Sequence, residues 1–150
     1  MGLSLDWLDA VAADAAARLS LPTPLVFPQI LIDLCDDGTE VFALEEALLR
    51  PGPLGDPGAE FGVLGADMAE YFDDYEFADY LPGAWPLALG GGGGFFCLDL
   101  RDVAAGHARN DGSAPVIWSH AGNFGWANDE VVKMGENLAA FLTSTRARPI

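Results

Sequence analysis

Leu81-Pro82-Gly83-Ala84-Trp85-Pro86-Leu87-Ala88-Leu89, the five glycines Gly90 to Gly94, and Phe95-Phe96-Cys97-Leu98-Asp99-Leu100 form the stretch that decides the fold. Two apolar runs flank a glycine turn, which predicts strand, turn, strand. A phosphate-binding loop is the competing reading of the glycines. It fails because no Lys-Ser or Lys-Thr follows them, no helix opens after them, and Phe95-Phe96 comes next. Glycine at this density also lets another part of the chain approach closely.

Downstream, Arg101 to Ala114 is polar and holds Asn110-Asp111-Gly112, a turn signal, before the β-rich Pro115-Val116-Ile117-Trp118-Ser119. A second hairpin is expected there. The C-terminal part predicts a closing helix capped by Asn128, with Asp129 and Glu130 in its first turn and Val131, Met134, Leu138 and Leu142 facing the core. The chain ends on the basic Arg146-Ala147-Arg148-Pro149.

Upstream, Ala66 to Ala78 predicts one amphipathic helix. Met68, Tyr71, Phe72 and Tyr75 share one face, and Asp67, Glu70 and Asp74 share another. Arg50 to Gly58 packs three prolines and three glycines into nine residues, an ordered loop too short for a domain linker. Before it, Thr39 to Ala43 reads as a strand and Leu44 to Leu49 as a brief helix. Leu25 to Cys35 reads as a helix entered near Pro28 and ended by Asp36-Asp37-Gly38. Leu5, Leu8, Val11, Ala12, Ala15 and Leu19 recur at helical spacing behind a Ser4 cap, with Asp6 near the positive end. Helices, then short strands, then a helix predict an α+β fold, an antiparallel sheet packed with N-terminal helices and a C-terminal helix.

A chain of 150 residues fits one domain, residues 1–150, and a domain of that size buries roughly 70% of its unfolded surface. With 51% hydrophobic and 11% aromatic residues it has the apolar content to fold. Seven basic residues against 23 acidic ones leave a net charge of −16, which disfavours direct binding to nucleic acid or to an anionic membrane. The acidity favours a cationic partner or serves solubility alone. Cys35 and Cys97 lie in apolar stretches with no Cys-x-x-Cys motif, so both read as reduced core thiols. Residues 1–19 lack the basic start of a signal or transit peptide, and Pro28, Gln29 and Asp33 interrupt the apolar run from Leu25 to Leu34. A cytoplasmic protein is the expectation.

Catalytic signatures are weak. Ser119 and His120 are adjacent, and on a strand adjacent side chains point apart, which argues against proton transfer between them. His107 and His120 lack the spacing of a metal motif, so no metal and no cofactor is expected. Asp67, Glu70, Asp73, Asp74, Glu76 and Asp79 lack the pattern of a calcium loop and read as a solvated face or as a partner-facing patch. The interleaved Tyr71, Tyr75 and Tyr80 favour contact, because aromatics beside charge are what binding hot spots use. Of the four tryptophans, Trp118 reads as core, whereas Trp126, in the glycine-flanked Phe124-Gly125-Trp126, is a candidate contact residue.

Several short motifs, taken in order, resemble the SUKH superfamily, the Smi/Knr group of fungal cell-wall synthesis regulators and bacterial immunity proteins. They are Leu21-Pro22, the turn at Asp37-Gly38, Glu40-Val41-Phe42-Ala43-Leu44-Glu45-Glu46, and Leu87-Ala88-Leu89 running through the glycines to Phe96-Cys97-Leu98-Asp99-Leu100. Pro115-Val116-Ile117-Trp118 with His120 and Asn137-Leu138-Ala139-Ala140-Phe141-Leu142 complete the series. The chain departs from the family where Gly94-Phe95 replaces the usual Gly-Asp, and residues 50 to 80 have no clear counterpart. The resemblance implies no enzyme but an immunity protein that binds and neutralises a toxin, many such toxins being nucleases. The expected partner is a basic protein, met by a monomer or weak homodimer through Asp67, Glu70, Tyr71, Asp73, Asp74, Tyr75, Glu76, Asp79 and Trp126. The alternatives are a regulatory or scaffold domain for an endogenous protein and a small carboxylate-dependent hydrolase.

Overall fold

Phe95 and Phe96 are neighbours in one strand, so their rings leave it on opposite sides, and both are fully buried. The sheet that carries them is therefore covered on both faces. The computed structural model describes residues 7–27, 41–43, 60–64, 67–90, 94–120, 122, 124–127 and 131–144.

The sheet has six strands in sequence order: β1 (Val41–Ala43), β2 (Glu60–Val63), β3 (Ala84–Gly90), β4 (Gly94–Asp99), β5 (Val116–His120) and β6 (Val132–Gly135). Every neighbouring pair is antiparallel. The fold is α+β, as expected. The two apolar runs are the antiparallel neighbours β3 and β4, with Leu89 opposite Phe95, and residues 91–93 of the expected glycine turn lie outside the described residues. Gly90 and Gly94 belong to the strands themselves.

Helix α1 (Trp7–Leu19) buries Val11, Ala12, Ala15 and Leu19, the spacing that predicted it. Leu25 to Phe27 are not helical, and the rest of the helix expected over Leu25–Cys35 lies outside the described residues. So do Ser4, Cys35, Leu44–Leu49, Arg50–Gly58 and Asn128–Glu130.

Three elements differ from expectation. The amphipathic helix over Ala66–Ala78 is two helices, α2 (Met68–Asp74) and α3 (Phe77–Tyr80), parted at Glu76 with φ 56 and ψ 44. Phe72 and Phe77 are five residues apart and would point well away from each other in a continuous helix. The break stacks them instead, with ring centroids 5.8 Å apart and planes 12° apart, and buries both. Burying a side chain of this size stabilises by about 2 kcal/mol, more than a left-handed residue costs.

β4 and β5 do pair, but a long connection joins them, not a tight turn. It contains α4 (Arg101–Ala104). Asn110 of the expected turn donates to the Thr23 carbonyl at 2.9 Å, to Thr23 Oγ1 at 3.0 Å and to the Pro24 carbonyl at 2.9 Å, pinning the segment that follows α1.

The closing helix α5 (Leu138–Ser144) starts later than expected. Val132–Gly135 is strand β6, and Asn137 caps the helix by accepting the Ala140 N–H at 2.7 Å. Met134 and Leu138 are both buried, but Met134 reaches the core from a bulged strand. Gly135 makes room for α5, since a Cβ there would stand 3.0 Å from Phe141 Cβ.

The two faces follow. Phe96 packs on Phe141 of α5 at 5.4 Å, on the side that also carries Trp118. Phe95 packs under Tyr71, Tyr75, Phe77 and Phe124, with centroids 4.8 to 5.9 Å away. Among the described residues no helix is long and apolar enough to cross a membrane.

Candidate functional site

The α2–α3 segment presents acid and tyrosine together because its apolar face is committed to the core. Met68, Phe72 and Phe77 are buried, which leaves Asp67, Glu70, Asp73, Asp74, Glu76 and Asp79 exposed on the outer side. Tyr71 is half-buried, Tyr75 is 40% exposed and Tyr80 is 58% exposed. Tyr71 and Tyr75 stack at 5.9 Å with planes 9° apart, and both set an edge against Phe95. Their rings are thus braced from below, so presenting Tyr75 to a partner costs little further side-chain entropy.

One of the six carboxylates is already engaged. Arg18 of α1 donates from Nε to one Asp73 oxygen at 3.0 Å and from Nη2 to the other at 2.8 Å. The same guanidinium lies 3.7 Å from Asp14. The hydrogen bond from Arg18 holds the Asp73 carboxyl below its ordinary range. Asp73 therefore contributes less field at the surface than its neighbours. Among the described residues Asp67, Glu70, Asp74, Glu76 and Asp79 form no ion pair, so α2–α3 keeps a concentrated negative potential.

Trp126 lies elsewhere. Its indole is half-buried, its Nε1 donates to the Pro82 carbonyl at 2.7 Å, and the Arg101 guanidinium lies 3.7 Å over its ring. The structure brings the carboxylates and tyrosines together on α2–α3 and sets Trp126 in a groove beside Arg101 and Lys133. That groove was not visible in the sequence, because Asp99, Ile117 and Lys133 come from three separate strands.

The other candidates are structural. Ser119 is fully buried opposite Phe95, while His120 faces the Trp118 side, 6.2 Å from that ring. His120 Nδ1 accepts the Gly122 N–H at 3.0 Å. Trp118 is core, as expected. Cys97 is a buried free thiol whose pKa is pushed well up by desolvation, which keeps it protonated and unreactive. Among the described residues no three His, Cys, Asp or Glu side chains converge to hold a metal ion. Compared with models of known protein families and with curated proteins, the chain matches none.

Proposed function

We propose that this chain is a protein-binding domain, not an enzyme, and that α2–α3 is the surface on which it receives a basic protein partner. The observation that carries this reading is the exposure of Asp67, Glu70, Asp74, Glu76 and Asp79 around the braced Tyr75 and the open Tyr80. Opposite charge steers encounter and raises the association rate, and part-exposed aromatics on a rigid base supply the short-range contact. The resemblance to SUKH proteins supports a partner class, a toxin neutralised in the cytoplasm by an immunity protein that is a monomer or weak homodimer. A nuclease is the toxin type that fits best. It needs a cationic cleft for its phosphate substrate, and an acidic surface both finds that cleft and fills it.

The test is affinity capture from the source lysate with the wild-type chain and with a D74K/E76K/D79K variant, at low and moderate salt. A basic protein retained by wild type, released by salt, lost with the variant and inhibited in its toxic activity by the purified chain supports the reading. Retention of the same proteins by both chains overturns the placement. A salt-sensitive basic partner without toxic activity makes the domain a regulatory one.

A further inference from the structure

Away from α2–α3, the structure holds a groove of about 380 Å³ whose lining includes Asp99, Arg101, Ile117, Trp126, Val131 and Lys133. Three strands supply its base by simple alternation. Cys97 pairs with Ile117 and Ile117 with Lys133, so Asp99, two residues on from Cys97, shares their face. This volume lies at the small end of the range for ligand sites, roughly 300 to 1,000 Å³.

One wall is held in place before any ligand arrives. Trp126 is fixed by its hydrogen bond to Pro82, and Arg101 stacks on the ring. Asp99 accepts from Arg101 Nε and Nη2, both at 3.0 Å, and from its backbone N–H at 3.2 Å. That engagement leaves Nη1 with no partner among the described residues. Lys133 gives one of its three donors to Glu136 at 2.9 Å and keeps two. Arg101 is already held by Asp99 and Lys133 by Glu136, so what the groove offers an anion is the N–H donors those pairs leave uncommitted, in a chain whose net charge is −16. Among the described residues the Lys and Arg side chains are Arg18, Arg101, Arg109 and Lys133, and two of the four line this groove.

We infer that the groove binds an organic monocarboxylate with a flat or apolar body, its carboxylate on Lys133 and Arg101 and its body on Trp126, Ile117 and Val131. Uncommitted N–H donors beside an apolar floor call for an anion with an apolar part. A dianionic phosphate meets about twice the repulsion from the acidic chain, which favours a single negative charge. The carboxylate arrives either on a small free acid or on the C-terminus of a peptide, and both offer the same chemistry.

Backbone and indole NMR signals of the ¹⁵N-labelled chain distinguish these sources. The probes are benzoate, a short peptide ending in Phe with a free carboxylate, and the same peptide amidated. The expected result is saturable shifts at the Trp126 indole N–H and at the Ile117 and Val131 amides. They should weaken about tenfold in Lys133→Met and be retained in Lys133→Arg. Saturation by benzoate identifies a small acid as sufficient. Saturation by the free-acid peptide alone, with no response to the amide, identifies a chain terminus. No saturable shift with any probe, or equal shifts in Lys133→Met, overturns the inference. Lys133 is exposed, so its replacement leaves the core intact.

Discussion

Arg18 on α1 and Asp73 on α2 meet side-on, both carboxylate oxygens accepting from one guanidinium, across 55 residues of sequence. The pair joins two helices that both bury their apolar faces in one core. Its side chains are 30% and 54% exposed, so its worth is about 0.5 kcal/mol.

Asp73→Asn should therefore cost about 0.5 kcal/mol at neutral pH. Because Arg18 holds the Asp73 carboxyl below its ordinary value, the unfolded chain takes up the proton more readily. The stabilisation is fully present above the unfolded carboxylate pKa, about 3.9, and is lost as pH falls through the lower folded value. Urea denaturation of wild type, Asp73→Asn, Arg18→Met and the double variant, at neutral and at strongly acid pH, checks this. A coupling of the same size at both pH values would contradict it.

Gly94→Ala should destabilise by about 1 to 3 kcal/mol, through overlap and not through backbone strain. A Cβ at Gly94 would run into the indole of Trp118, which is 1% exposed and cannot move aside. Gly106→Ala is the contrasting case, with nothing within 4 Å of the added carbon but a φ of 79. Its cost should be about 1 kcal/mol and purely conformational. Thermal or urea unfolding of both variants separates the two causes, and a Gly94→Ala no worse than Gly106→Ala would show that the ring can yield.

Trp126→Phe should cost about 1 to 2 kcal/mol, since it keeps a ring under Arg101 but removes the donor to Pro82 and part of the half-buried indole. Arg101→Met should cost more, about 1 to 3 kcal/mol, because it loses both the stacking and the side-on pair with Asp99, whose side chain is only 16% exposed, without the indole shifting out of place. Denaturation curves give the energies, and the Trp126 indole N–H signal reports whether its hydrogen bond survives in Arg101→Met. Loss of that signal's position would mean that Arg101, not Pro82, holds the ring.

How much was legible depended on whether the signal was local. The β3–β4 pair and α1 were readable because their apolar periods and their breaks lie within one window of sequence. Glu76 was not, because nothing in Asp73-Asp74-Tyr75-Glu76 forbids a helix, and the break is decided by where Phe77 finds Phe72 and Phe95. Val131, Met134 and Leu138 matched helical spacing by coincidence, since a bulged strand followed by a helix buries two of the same positions. The carboxylates and tyrosines of α2–α3 share one stretch of chain and could be listed from it. The Arg18–Asp73 pair and the Arg101–Trp126 wall could not, as each joins residues from distant segments.

Glu76→Gly separates what fold and function ask of one position. Glu76 holds a left-handed backbone at φ 56, which costs an ordinary L-residue roughly 1 kcal/mol or somewhat more. Glycine removes that strain but spends about 0.5 to 1 kcal/mol of it on ordering a looser unfolded chain. The net expectation is a chain as stable as wild type or up to about 1 kcal/mol more so. If stability alone governed the position, glycine would serve it as well or better, so the role proposed for the carboxylate has to be read from binding and not from stability. Glu76→Gln supplies the other half, leaving the strain and deleting the charge. Both variants should slow association with a basic partner by about twofold at low salt and leave it unchanged at high salt, where the field of α2–α3 is screened. Stopped-flow association measured alongside urea unfolding reads both quantities. Unaltered low-salt rates in both variants would remove Glu76 from the proposed docking surface and leave its strained backbone without a functional reason.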